Sequence, residues 1–374
     1  MKRKYWTSSL VLLTVLTVLL SGCGTGSSAG PKANANEKVS FDNVPKRFAK
    51  GQGAKIKVIR KIGGDDHTAQ FLAGTKAEGE ALGFTVDVYT ANGDTAKFHD
   101  AISQALEENY DGFIISHGDD EATVADVKKI TAKGIPVVAF DSNPKLKDIK
   151  GVTVTSQDDE QLAKKSLDAL VADFKGKANT NIAYLWVDGF PPMVRRNKVY
   201  QETLKQHTGI KELDRFGVAA SDTSVQTQNA VAAMLNKYPK GKLDAIFATW
   251  DAFAIGAARA LKEAGRTEVK IYGIDVSNAD LQEMTAKDSP WKYTAAVDPK
   301  LIGAIDVRIL AKKLAGEKTP SSYDLEASLI SQKQLQDAGK AINMVNLADE
   351  VKGFGSSTAF EEDWMKTLKK HYAK

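Results

Sequence analysis

Carboxylates and other polar side chains recur directly after short apolar runs in this 374-residue chain, and that placement is the first sign of chemistry. Gly64-Asp65-Asp66-His67-Thr68 comes after Ile56-Lys57-Val58-Ile59, Ser116-His117 after Gly112-Phe113-Ile114-Ile115, and Asp141-Ser142 after Pro136-Val137-Val138-Ala139-Phe140. In the second half, Asp222, Trp250-Asp251 and Asp275 stand in the same relation to apolar stretches. An ionised carboxylate accepts several hydrogen bonds, each strengthened by its charge. A ring of them, with aromatic side chains between, suits a ligand made of hydroxyls: a monosaccharide or a polyol.

Several of these residues have a competing structural role. Asp251 and Asp222 precede helical runs, where a carboxylate satisfies orphan backbone N–H groups, and one of Asp65 and Asp66 has the same option. For Trp250 the competing role is core packing, for His117 an exposed loop, and for Arg196 an ion pair on a helix surface.

The elements that position them alternate. Strands of four or five residues at 56–59, 85–89, 112–115 and 136–140 are separated by stretches with helical spacing, such as Ile102 and Leu106 at i and i+4. Strand, helix, strand at this length requires right-handed crossovers and a parallel sheet covered on both faces. The rhythm repeats with apolar runs at 182–186, around Gly217-Val218, at 245–248 and at 269–274, and with helical patterns at 158–174, 196–206, 226–237 and 252–264. Two doubly wound units follow one another, and such sheets bind ligands beyond the carboxyl ends of their strands.

Composition narrows the class. Hydrophobic residues make up 43% and charged residues 26%, which excludes a wholly disordered or multi-span membrane chain. The net charge is +4, and without Lys2, Arg3 and Lys4 it is +1, too balanced for a nucleic-acid partner. Those three residues begin a signal peptide whose apolar run, Leu10 to Leu20, is too short to remain as an anchor. The run ends in Leu20-Ser21-Gly22-Cys23, which resembles the lipobox of bacterial lipoproteins, with Cys23 as the lipidated residue. Cys23 is the only cysteine, so no intramolecular disulfide forms, and Gly24 to Asn36 reads as a flexible tether. The mature protein is therefore expected to work outside the cytoplasm, anchored to the membrane.

Enzyme readings find little support. No Gly-x-Ser-x-Gly elbow stands between a strand and a helix, since the run Gly26 to Gly30 falls in the tether, and the five histidines (67, 99, 117, 207 and 371) share no metal-binding spacing. Gly-x-Gly runs such as those at 51–53 and 22–24 do not lie between a strand and a helix, so no nucleotide, cofactor or metal is expected.

Four ordered motifs then carry a resemblance. Phe113-Ile114-Ile115-Ser116, Gly134 to Asp141, Asp244 to Asp251 followed by Ala254-Ile255-Gly256-Ala257, and Ile271-Tyr272-Gly273-Ile274-Asp275 resemble the ribose/galactose-type (type I) periplasmic sugar-binding proteins, over about Ala54 to Leu335. The resemblance implies two Rossmann-like doubly wound parallel-sheet lobes joined by a three-strand hinge, serving as the extracytoplasmic receptor of an ABC-type importer. It places Asp141 and Asp275 as the acids that bind sugar hydroxyls, and Arg196, with Arg195 beside it as the alternative, as the ligand arginine. Asp65, His67 and Thr68 occupy a loop where the family has an Asn and two aromatic rings. Trp250 stands where an Asn is usual, and Asp298 lies one position from a hinge Gln.

These readings divide the chain into a signal peptide (1–22), a lipidated tether (23–53), an N-terminal lobe (54–156 plus 299–326), a C-terminal lobe (157–298 plus 327–345) and an extension (346–374). Crossings fall near Ser156-Gln157, Val297-Asp298 and Glu326-Ala327, and closure about them buries the ligand and presents a surface to the permease. A monomer is expected. Two other functions fit the same fold: a nucleoside-binding lipoprotein with Trp250 stacked on the base, and a sugar sensor for a membrane kinase or chemoreceptor. The extension, with Phe360, Trp364 and Leu368 at helical spacing, is expected to pack back on one lobe.

Overall fold

The structure, a computed structural model, describes residues 40–64, 66–189, 191–220 and 222–373. The leader, Cys23 and Asp65 lie outside these residues. Among the described residues no helix is long and apolar enough to cross a membrane.

The first half runs β1 (Lys55–Arg60), α1 (Asp66–Ala81), β2 (Thr85–Thr90), α2 (Thr95–Ala105), β3 (Gly112–Ser116), α3 (Glu121–Ala132), β4 (Val137–Phe140) and β5 (Val152–Gln157). The second runs α4 (Asp159–Asp173), β6 (Thr180–Leu185), α5 (Pro191–Gln206), β7 (Ile210–Phe216), α6 (Thr223–Lys237), β8 (Ala245–Ala248), α7 (Asp251–Glu263), β9 (Lys270–Ile274), α8 (Asn278–Thr285) and β10 (Trp291–Ala296). The chain ends with α9 (Pro299–Leu314), β11 (Ser322–Leu325), β12 (Ser328–Ser331), α10 (Gln332–Asp337), α11 (Leu347–Glu350) and α12 (Asp363–Tyr372).

Two six-stranded sheets result, ordered β11-β5-β4-β3-β1-β2 and β12-β10-β9-β8-β6-β7. Every pairing is parallel except β10 with β12. The central strands β3, β4 and β8 are buried at every position, as a sheet covered on both faces requires, which is why they read as unbroken apolar runs. Each sheet is doubly wound in the same order, so β1, β3, β4 and β5 correspond to β6, β8, β9 and β10. The chain passes between sheets after β5, after β10 and between β11 and β12. Helix α9 returns to the first lobe and lies against α1 at backbone distance. A Cβ on Gly74 would sit 1.9 Å from the Lys300 carbonyl oxygen, and one on Gly303 2.3 Å from that of Phe71.

Three sequence expectations are corrected. The tether, expected to run to residue 53, stops short of Val44 and Phe48, whose apolar side chains are buried in the core of the first lobe. The strand placed around Gly217-Val218 is β7, which ends at Phe216. Its sequence, Ile-Lys-Glu-Leu-Asp-Arg-Phe, belongs to a sheet edge with its backbone half in solvent, so it carries no apolar run to read. The C-terminal extension packs on both lobes rather than one. Leu347, Val351 and Phe354 join the core of the second lobe, whereas Trp364, Met365, Leu368 and Tyr372 join a cluster with Phe48 and Phe84 of the first.

Candidate functional site

In the first lobe the site is organised by a residue that sequence reading passed over. Arg60, the last residue of β1, is only 2% exposed. Its Nε donates to Thr68 Oγ1 at 2.9 Å, its Nη1 to Ser116 Oγ at 2.9 Å, and its Nη2 lies 3.0 Å from His67 Nδ1. An arginine has no acceptor, so His67 Nδ1 accepts and its ring proton resides on Nε2. The guanidinium also lies over the Phe71 ring, 5.0 Å from its centroid. Burying a charge is tolerable where its donors are partnered, and the contacts from β3 and α1 supply this.

Next to Arg60, His117 packs edge-on against Phe140 with centroids 5.7 Å apart, and its Nδ1 lies 2.7 Å from Ser116 Oγ. Burial and then the Arg60 charge hold its pKa well below the ordinary histidine value, so the ring is neutral. Asp141 follows β4 directly. Its backbone N–H donates to Thr155 O at 2.9 Å, while among the described residues no group donates to its carboxylate. Burial first, and then the negative charge of Asp159, push its pKa up to about 7. Asp306 on α9 shares Thr155 with it: the Thr155 hydroxyl donates to Asp306 Oδ1 at 2.7 Å, and Oδ2 has no partner among the described residues. Burial, reinforced by Asp141, raises Asp306 to about 8.

In the second lobe two adjacent arginines converge on one acid. Asp158 caps α4 by accepting from Gln161 N at 2.9 Å, which leaves Asp159, 3% exposed, free for other partners. Asp159 Oδ2 accepts from Arg195 Nε at 3.0 Å and Nη2 at 2.5 Å, and Oδ1 accepts from Arg196 Nε at 2.9 Å. Arg196, also 3% exposed, donates further to Thr249 O at 2.5 Å and to both Asp275 oxygens at 3.2 and 3.4 Å. Burial works against its charge, but Asp275 and Asp159 outweigh that and hold it protonated above its ordinary value. Asp275 itself is raised by burial despite Arg196. Beyond it, burial and the Asp275 charge take Asp251 up to about 7, and burial with the Asp251 charge raises Asp280, whose buried carboxyl oxygens have no hydrogen-bond partner among the described residues.

An apolar wall adjoins these acids. Trp186, directly after β6, donates from Nε1 to Met193 O at 2.8 Å and stacks on Tyr184 at 5.9 Å. Trp250 meets Phe253 edge-on at 5.7 Å. The indoles of Trp186 and Trp250 are only half-buried, whereas Met193 is 8% exposed.

Sheet correspondence relates the two halves. Asp141 after β4 and Asp275 after β9 occupy equivalent positions, as do Ser116-His117 at the end of β3 and Thr249-Trp250 after β8. Three of these residues, His117 at φ +64°, Asp141 at +42° and Asp275 at +76°, adopt the left-handed backbone region that side chains other than glycine seldom enter. Such strain is of order 1–3 kcal/mol per residue, and at strand ends it fixes where a side chain is aimed. The lobes also meet. The field at Asp141 in the first lobe contains Asp159, Arg195 and Arg196 of the second, and Asn278 N donates to Asp66 Oδ2 at 2.9 Å.

The residues expected from sequence therefore separate. His67, Asp141, Arg196 and Asp275 gather, with Trp250 and Asp251 in the same set. Thr68 is 4% exposed and is occupied in supporting Arg60. Asp222 is exposed, and its Oδ1 accepts from the Gln226 side chain at 2.7 Å, apart from the gathered acids. Asp298 caps α9 by accepting from Lys300 N at 2.9 Å and faces Gly355 rather than Asp141 or Asp275. His117, expected in an exposed loop, belongs to the set. Arg60, Asp159, Asp280, Asp306 and Trp186 were missed. Trp186 had a usable signal, since it directly follows an apolar run as Trp250 does. No metal-binding group of His, Cys, Asp or Glu occurs among the described residues.

Comparison with known proteins agrees with this architecture. The family model for the periplasmic binding protein domain matches residues 56–318. A solved sugar ABC transporter protein from Yersinia enterocolitica is 49% identical and superposes with a TM-score of 0.75, covering 88% of this chain and 98% of that one. The solute-binding protein of a 5-methylthioribose transporter from Thermotoga lettingae, solved with 5-methylthioribose, is 32% identical with a TM-score of 0.73, covering 87% and 98%. The ribose import binding protein of Escherichia coli is 26% identical over 262 residues, which is 69% of this chain and 83% of the relative. With two doubly wound lobes whose strand-end acids and arginines act on one another and a family match over most of its length, the chain belongs to the periplasmic binding protein domain family.

Proposed function

We propose that this protein captures a monosaccharide of pentose type between its lobes and delivers it to an ABC importer. The family is extracytoplasmic and non-enzymatic, and relatives that this chain matches over most of their length carry ribose or 5-methylthioribose in their names. The observation that carries the reading is the pairing of Asp141 and Asp275. Equivalent acids from the two lobes are both held in left-handed backbone conformations, and Asp141 has no described donor on its carboxylate. Sugar hydroxyls supply those donors, while Arg196, fixed by Asp159 and Asp275, supplies N–H groups. Trp186 and Trp250 offer apolar faces to the ring carbons or to a 5-methylthio group.

A thermal-shift screen against D-ribose, 5-methylthioribose, hexoses, polyols and nucleosides tests this. A ligand at 100 times its Kd adds about 2.7 kcal/mol, which for lobes of this size raises Tm by roughly 5–10 °C. The expected result is a shift of that order with a pentose-type sugar. Stabilisation by nucleosides alone would overturn the proposal in favour of base stacking on Trp250.

We further propose lipid anchoring through Cys23. Cys23→Ser is expected to release the protein from the membrane fraction with sugar affinity unchanged, because the tether separates the anchor from the lobes. Retention in the membrane fraction, followed by immunoblotting, would exclude Cys23 as the anchor.

A further inference from the structure

We infer that the C-terminal segment is a fourth connection between the lobes, seated on the hinge, and that it limits how far they part. On the second lobe its anchors are apolar: Leu347, Val351 and Phe354 are at most 2% exposed and pack with Leu281, Ile330 and Leu335. On the first lobe the anchors are polar and then aromatic. Arg308 of α9 donates to Ser357 O at 2.7 Å and to Ala359 O at 3.4 Å, and Phe360 meets Tyr323 edge-on at 4.8 Å. Helix α12 follows, with Trp364 stacked on Phe48 at 5.4 Å and bonded from Nε1 to Glu317 at 2.8 Å.

Only Gly355 and Ser356 lie between Phe354 and Ser357. Three residue steps reach at most about 11 Å when fully extended, so the segment holds little slack. It also runs against the hinge itself. Gly355 has a φ of +68°, and a Cβ there would stand 2.4 Å from Asp298 Oδ2, beside the crossing at 297–298. The chain walls a cavity of about 540 Å³ together with Glu78, Lys300 and Arg308 of the first lobe and Met344 on the other side. Rotation about the three strand crossings must therefore carry the segment along, and opening stops where two residues can stretch no further. A shorter opening range keeps the apo protein nearer its ligand-competent form, and apparent affinity scales with the fraction in that form.

Two variants acting at different places test this in the mature chain. Inserting Gly-Ser-Gly-Ser between Ser356 and Ser357 lengthens the connection while leaving both anchors in place. Arg308→Gln removes the polar anchor, and Glu78 then keeps Lys369 at 2.7 Å as its partner. Both are expected to give a larger apo radius of gyration by small-angle X-ray scattering. Both are also expected to weaken 5-methylthioribose binding by about threefold or more. Unchanged scattering in both variants, whatever happens to Tm, overturns the inference. The scattering measurement uses no ligand, so an error in the sugar assignment leaves this test intact.

Discussion

Arg196→Ala is expected to abolish sugar capture and to cost the apo protein about 3–5 kcal/mol, the usual consequence of removing one member of a buried ion-pair network. The guanidinium ties together three elements, donating to Asp159 on α4, to the Thr249 carbonyl after β8 and to Asp275 after β9. Asp159 would keep Arg195, but Asp275 would lose the cation that offsets its burial. Arg196→Lys retains the charge without the planar fork, so it should fall between wild type and alanine in both Tm and Kd. Arg195→Ala is the contrasting variant. That side chain is 40% exposed, and Arg196 still neutralises the buried Asp159 once it is gone, so its loss should lower the melting curve far less than the loss of Arg196. Calorimetric titration and scanning calorimetry on the three proteins separate the adjacent arginines. Equal losses from Arg195→Ala and Arg196→Ala would refute the central role given to Arg196.

The contrast between these neighbours shows where sequence reading reaches its limit. Strands β3, β4, β8 and β9 are legible because a strand buried on both faces must be apolar throughout, and the residue after each is then picked out by counting. Asp141 and Asp275 are singled out in that way. Arg60 is not, because it is the last residue inside β1, where a charged side chain looks like the end of the strand; only the fold shows it buried among polar partners. Thr68 and Asp298 are ambiguous in sequence for the opposite reason. Polar residues near a strand end look alike in sequence whether they face a ligand, support an arginine or cap a helix. Asp159 follows the same logic, since in Asp158-Asp159 only the fold decides which carboxylate caps α4 and which receives the arginines. The fourth connection could not be read at all, because Leu347 and Trp364 are equally apolar and nothing in their order assigns them to different lobes.

Asp141→Asn should move stability and affinity in opposite directions. The folded-state pKa of Asp141 is raised to about 7 from 3.8, so between those values the folded protein binds the proton and the unfolded chain has released it. Stability therefore falls as pH rises through that window, by up to about 1.4 kcal/mol per pH unit, and the loss is complete above the folded pKa. Asparagine has the same shape and no charge to desolvate. The variant should melt above wild type at pH 8 and together with it at pH 3.5, where both forms are neutral. Sugar affinity should fall at least roughly tenfold at pH 8, because charge-assisted hydrogen bonds worth about 1.5–3 kcal/mol are lost. At pH 5 the wild-type carboxyl is itself largely protonated in the apo protein, and the gap in affinity should narrow. Melting curves and titrations at these pH values distinguish a binding residue from a structural one. If Asp141→Asn lowered Tm at pH 8 and left Kd within about threefold, the carboxylate would be holding the fold rather than the sugar.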